Sequence, residues 1–196
     1  MIYQWVSFLR GGEPVAMSKR AGTFVSLDEL IDEVGTDAAR FHLLMFSADV
    51  TMRFDIEQVK AQTLDNPVYY VQYGHARIAS ILRKAVERGV ELRPIDDVDL
   101  SRLQGEAELD LLRALEEMPS QVAISAETRG PHRLTHAAQE LAARFHRFYT
   151  DCPVLSDDAE LTQSRLWLCR ATKQTVANLL GLLGVSAPES MARSDA

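Results

Sequence analysis

The 196-residue sequence has two cysteines, Cys152 and Cys169, too few for a disulfide scaffold, which points to a reducing, cytoplasmic setting. It has no apolar run approaching the roughly 18 residues of a membrane span. Residues 1–25 lack the layout of a signal peptide. No internal repeat or low-complexity tract interrupts the chain. No glycine-rich phosphate loop and no nucleophile–base arrangement stands out. His132 and His136 are spaced i, i+4, but no third ligand of suitable type lies near them and no metal site is expected. Basic residues are outnumbered: 21 Lys and Arg against 28 Asp and Glu give a net charge of -7. That excludes a uniformly basic nucleic-acid binder unless the charge is segregated.

What is present reads mainly as helix. Residues 2–9 have strand composition and Gly11-Gly12-Glu13-Pro14 turns the chain. After residue 25 the pattern is helical throughout. Ser26 and Glu29 form a capping box for a helix that stops at Gly35. A second helix follows from Thr36 or Asp37. Asp55 caps a third, to about Thr63, and Asn66-Pro67 opens a long one to about Arg88. An acidic linker runs from Gly89 to Asp99. Further helices are expected at 101–117, 119–129, 131–150 and 160–182, the last closed by Gly184. The expected fold class is all-α: a helical bundle preceded by a short strand and loop leader.

The charge is segregated. Residues 66–86 contain Arg77, Arg83 and Lys84 and no acid; residues 161–188 contain Arg165, Arg170 and Lys173 and no acid. Residues 129–149 carry four arginines against Glu140. Acids concentrate in 87–117, which holds ten against four arginines. Acid-free helices in an acidic chain hint at an anionic partner.

Within the long helix, Tyr70, Tyr73, Arg77 and Lys84 fall within about 60° of one another at about 100° per residue. Two phenol rings beside a guanidinium and an ammonium suit an unpaired RNA loop. On the residues alone, however, the pattern favours packing residues with wet hydroxyls over a binding surface. A loop at Met17-Ser18-Lys19-Arg20 could touch phosphate through Lys19.

Taken in order, the motifs resemble the arginyl-tRNA synthetases. Met17 to Leu30 is similar to that family's second signature loop and the segment following it. Gly35 to Phe41 and Phe54-Asp55 are similar to its helical connector. Asn66-Pro67-Val68-Tyr69-Tyr70-Val71-Gln72-Tyr73-Gly74-His75-Ala76-Arg77 resembles its most distinctive stretch, which usually has Ala at Gly74. Phe145 to Leu155 and Leu182 to Met191 complete the likeness. The resemblance implies a class I ligase that joins arginine to its tRNA using ATP with magnesium. It also implies that this chain is the C-terminal part, because it has no His-x-Gly-His stretch and nothing to form a nucleotide-binding sheet.

On that reading residues 1–25 are a remnant of the catalytic domain, 26–64 a helical connector and 65–196 an anticodon-binding bundle. The chain alone would be inactive. Ser18 and Lys19 would help hold ATP phosphates in the complete enzyme, although Ala16 stands where the family usually has lysine. Tyr70, Tyr73, Arg77, Tyr149 and Met191 would contact the anticodon of tRNA for arginine, with ATP and arginine bound outside this chain. No DNA or membrane partner is expected. The alternatives are a freestanding helical RNA- or protein-interaction domain derived from a synthetase, and a related enzyme such as the cysteinyl one. The leader, exposing Trp5, Val6, Phe8 and Leu9, is expected to be disordered or packed on another copy.

Overall fold

A computed structural model describes residues 4–15 and 26–191. Strand β1 (Val6–Arg10) turns through Gly11 and Gly12, both at positive φ, into the two-residue β2 (Glu13–Pro14). Helices α1 (Leu27–Val34) and α2 (Thr36–Leu44) follow, then strand β3 (Met52–Asp55) and the short helix α3 (Ile56–Lys60). Four long helices complete the chain: α4 (Pro67–Glu87), α5 (Glu106–Thr128), α6 (His132–Asp151) and α7 (Ala159–Leu183). Two 3-10 turns, Ile95–Asp97 and Leu100–Arg102, carry the α4–α5 connection.

The capping box at Ser26 forms as its sequence requires. Ser26 Oγ accepts from Glu29 N at 3.2 Å, and Glu29 Oε2 accepts from Ser26 N at 2.9 Å. Gly35 ends α1 at φ 83, a left-handed conformation that costs a glycine nothing.

Asn66 departs from the expected side-chain cap. Its amide nitrogen donates instead to the Val59 and Ala61 carbonyls at 2.8 and 2.7 Å, and its Oδ1 pairs with His42 Nε2 at 3.0 Å. The buried amide thus ties the end of α3 and the side of α2 to the start of α4. Burial lowers the pKa of His42, a shift the Asn66 bond opposes.

Three further expectations are corrected. The chain after residue 25 is not all helix, since β3 pairs in parallel with β1 in register Val6 with Met52 and Phe8 with Phe54. Residues 4–15 are ordered against the connector rather than free: Val6 and Phe8 pack on a small core of Leu30, Met52, Phe54, Ile56 and Val59. Of Trp5, Val6, Phe8 and Leu9, Trp5 alone remains largely exposed, at 76%. Finally, α5 is one helix running through Pro119, not two. Leu111, Ala114 and Met118 are buried on one face with Ser125 beyond, so packing carries the helix across the bond that proline removes.

The main core lies between α4, α5, α6 and α7, around Val71, Ile78, Leu111, Leu141, Phe145 and Leu180. Gly74 faces α6 with room for a methyl group: a Cβ there would lie at ordinary contact distance, 3.6 Å from Ala142 Cβ and 3.7 Å from His146 Nε2. Glu108, whose side chain is only 2% exposed, accepts from Gly105 N at 2.7 Å and from Arg165 Nε at 2.7 Å. That buried ion pair fixes the start of α5 to α7.

Candidate nucleic-acid interface

On the outer face of α4 the guanidinium of Arg77 sits between two phenol rings. Its central carbon is 4.8 Å from the Tyr73 centroid and 5.0 Å from that of Tyr149 on α6. Arg77 also donates to the Tyr73 hydroxyl. Helical spacing of four residues makes the first contact, and the α4–α6 packing makes the second. Tyr69 stacks behind Tyr73 with centroids 6.1 Å apart and rings 10° from parallel.

His146 backs the cluster, 4.8 Å from the Tyr70 ring and 6.1 Å from that of Tyr73. Burial, aided by the charge of Arg77, pushes the His146 pKa down to about 4, so the ring is neutral at ordinary pH. Its Nε2 is buried and has no hydrogen-bond partner among the described residues.

These side chains border a cleft of about 370 Å³. Tyr73, Arg77, Lys84, Tyr149 and Met191 line it together with Arg83. Three cations and two aromatic rings meet there, and among the described residues no carboxylate lines it. Four of the five residues assigned to tRNA binding by resemblance therefore meet in one place. Tyr70 does not: its ring is half-buried on the α6 side against the main core, and burial raises its pKa. Ser18 and Lys19 lie outside the described residues.

Two participants were not singled out from sequence. From sequence, Arg83 stands only within a basic stretch, and His146 only within the run Phe145 to Leu155. The signal for His146 was its place three residues before Tyr149, on the same side of α6.

Charge segregation acquires a sharper meaning in three dimensions. Arg144 pairs with Asp110 and Glu140, and Arg147 with Glu106 and Asp151. Arg165 pairs with Glu108, and Lys173 with Glu189. Much of the positive charge of α6 and α7 is therefore already matched internally. Among the described residues, Arg77, Arg83 and Lys84 of α4 form no ion pair with a carboxylate.

Among the described residues, no group of three His, Cys, Asp or Glu could hold a metal ion, and no helix is long and apolar enough to cross a membrane. Both cysteines are buried thiols, and burial pushes Cys169 up to about 12.

The sequence model of the DALR anticodon binding domain matches residues 71–191. The chain belongs to this family. It is 50% identical over 191 residues to an arginine–tRNA ligase of Moorella thermoacetica, and 47% identical over 192 residues to that of Desulfitobacterium hafniense. Each alignment covers 97% of this chain but 34% of the relative, so the chain spans about a third of those proteins. The arginyl-tRNA synthetase structure from Thermus thermophilus superposes with a TM-score of 0.76 at 28% identity, over 95% of this chain and 35% of that one. The matched family region contains Tyr73, Arg77, Tyr149 and Met191.

Proposed function

We propose that the chain is the C-terminal, anticodon-binding part of an arginyl-tRNA synthetase, and that the α4 cleft receives the anticodon loop of tRNA for arginine. The observation that carries this reading is a cleft lined by two phenol rings and three cations, with no carboxylate among the described residues, on a chain of net charge -7. Unstacked bases of a single-stranded loop stack on Tyr73 and Tyr149, each such contact contributing about 1–3 kcal/mol. Arg77 holds the two rings apart and offers its outer N–H groups to the backbone, while Arg83 and Lys84 meet neighbouring phosphates as point charges. The neutral His146 supports the rings from behind without adding charge. Met191 contributes an adaptable apolar wall.

In the whole protein, the ligation of arginine to tRNA with ATP and magnesium would take place on the catalytic portion outside this chain, in the cytoplasm. Ser18 and Lys19 would help hold the phosphates of ATP there. The cation-rich lining of the cleft, in which the apolar Ala76, Ile81 and Met191 are the minority, argues against a protein-interaction domain, whose docking surface would be centred on apolar residues.

Titration of the chain with tRNA for arginine and with a tRNA for another amino acid, at two salt concentrations, tests the reading. The arginine tRNA binds more tightly, Tyr73→Ala weakens it, and the salt dependence is shallow because few cations are free. Equal binding of both tRNAs, or no effect of Tyr73→Ala in a folded variant, overturns it.

A further inference from the structure

Residues 185–191 leave α7 at Gly184, which adopts φ 68, and return along α4 as an extended strap. Beyond Val185, whose N–H donates to the Leu180 carbonyl at 2.9 Å, side chains supply the holds on this strap. Gln72 Nε2 donates to the Ser186 carbonyl at 2.9 Å, and Asp37 Oδ1 accepts from Ser186 N at 3.2 Å. His75, 2% exposed, meets the Pro188 carbonyl at 2.9 Å through Nδ1, which must be the donor because a carbonyl only accepts. Arg83 donates to the Glu189 carbonyl at 3.0 Å. The Glu189 carboxylate takes Lys173 of α7 at both oxygens, at 2.7 and 2.8 Å.

Glu189 is therefore grasped at its backbone from α4 and at its side chain from α7. Two residues further on, Met191 borders both the cleft of Tyr73, Arg77 and Tyr149 and a second cleft beside Tyr69 and Gln72. An extended chain end has many conformations, and fixing each residue costs about 1–2 kcal/mol. Without fixed points close by, Met191 would not stay in place.

We propose that Glu189, clamped by Lys173 and Arg83, is a positioning residue that latches the strap and delivers Met191 to the RNA-binding cleft. The proposal rests on the anticodon-binding reading above for its consequence, though not for its geometry. Arg83 then has two tasks, since its guanidinium holds the latch while lining the cleft. Among the described residues, the Lys173–Glu189 pair is also the one place where a cation of α7 is committed to the strap instead of to another helix.

The test has one arm that needs no RNA. In the 196-residue chain with methyl-13C methionine, Met191→Leu assigns the Met191 methyl signal. In the otherwise unaltered chain that signal is shifted from the free-methionine position by the adjacent rings. Glu189→Gln, and separately Lys173→Met, move it to the free position while the remaining methyl signals stay put. Lys173→Glu combined with Glu189→Lys restores the shift. In the RNA arm, Glu189→Gln weakens arginine-tRNA binding several-fold, and the loss disappears when Met191→Ala is already present.

A Met191 signal unchanged by Glu189→Gln overturns the latch, whatever the RNA does. Losses from Glu189→Gln and Met191→Ala that simply multiply also overturn it, because Glu189 would then act independently of Met191. If the methyl signal responds and the unaltered chain binds neither tRNA, the latch stands and the anticodon-binding reading fails.

Discussion

Replacing Arg77 with lysine keeps the charge and removes the plane. The guanidinium lies 4.8 and 5.0 Å from the Tyr73 and Tyr149 centroids, so two ring contacts are lost at once. At about 0.5–1 kcal/mol each for partly exposed sites, the folded chain should lose about 1–2 kcal/mol. For a chain of this size that lowers the melting temperature by about 2–8 °C. The larger effect falls on RNA. With its spacer gone, the Tyr73–Tyr149 gap relaxes and one base loses its stacking surface, worth about 1–3 kcal/mol, which is about five- to hundredfold in affinity. Arg77→Lys should leave the slope of log K against log salt unchanged, whereas Arg77→Met should make it shallower by about 0.7, the contribution of one phosphate contact on a single strand. Melting curves and fluorescence titrations over a salt series give both numbers. A lysine variant that melts and binds as the parent does would refute the claim that the planar spacer organises the cleft.

Arg165→Met strands the Glu108 carboxylate in a site where its side chain is 2% exposed, and urea unfolding should show a loss of about 3–5 kcal/mol, with Glu108→Leu in the same chain recovering most of it. Gly74→Ala should stabilise α4 by about 1 kcal/mol, because the added Cβ meets Ala142 and His146 at ordinary contact distance; destabilisation would show that the α4–α6 seam cannot yield. His146, held down at about 4 when folded, regains a pKa of about 6.5 when unfolded, so the unfolded chain binds the extra proton between those values. Stability should therefore fall by about 2 kcal/mol as pH drops from about 7.5 to 5, with His42 acting in the same direction, and His146→Phe should remove most of that slope in denaturant titrations.

The parts of the fold that local chemistry determines were legible in advance. The capping box at Ser26, proline at the first position of α4 and the glycine after α7 each mark a helix end through groups only a few residues apart. What escaped depends on partners distant in sequence. Met52 and Phe54 form a strand because Val6 and Phe8 lie beside them, and four residues carry no periodic signal of their own. Pro119 reads as a break, but the buried face that overrides it is a property of the assembled bundle. For the site, the helical wheel grouped Tyr70 with Tyr73 and Arg77, since angle about one axis is all it can report. Tyr70 instead faces His146 because α6 crosses on that side, which is a fact about two helices.

The same distinction applies to charge. Counting residues gave three helices of equal positive excess, which would make all three candidates for gripping a polyanion. Packing separates them. The acids of residues 87–117 lie on α5 and its approach, and α5 neighbours α6 and α7, so Glu106, Glu108 and Asp110 meet Arg147, Arg165 and Arg144. These pairs orient helices and leave little field outside. Among the described residues no carboxylate pairs with Arg77, Arg83 or Lys84, so Arg77 and Lys84 retain their charge for solvent or a ligand, while Arg83 gives a bond to the Glu189 carbonyl and attracts the carboxylate of the same residue. An acidic chain can thus present a cationic cleft because its acids are placed where they neutralise α6 and α7 and spare α4.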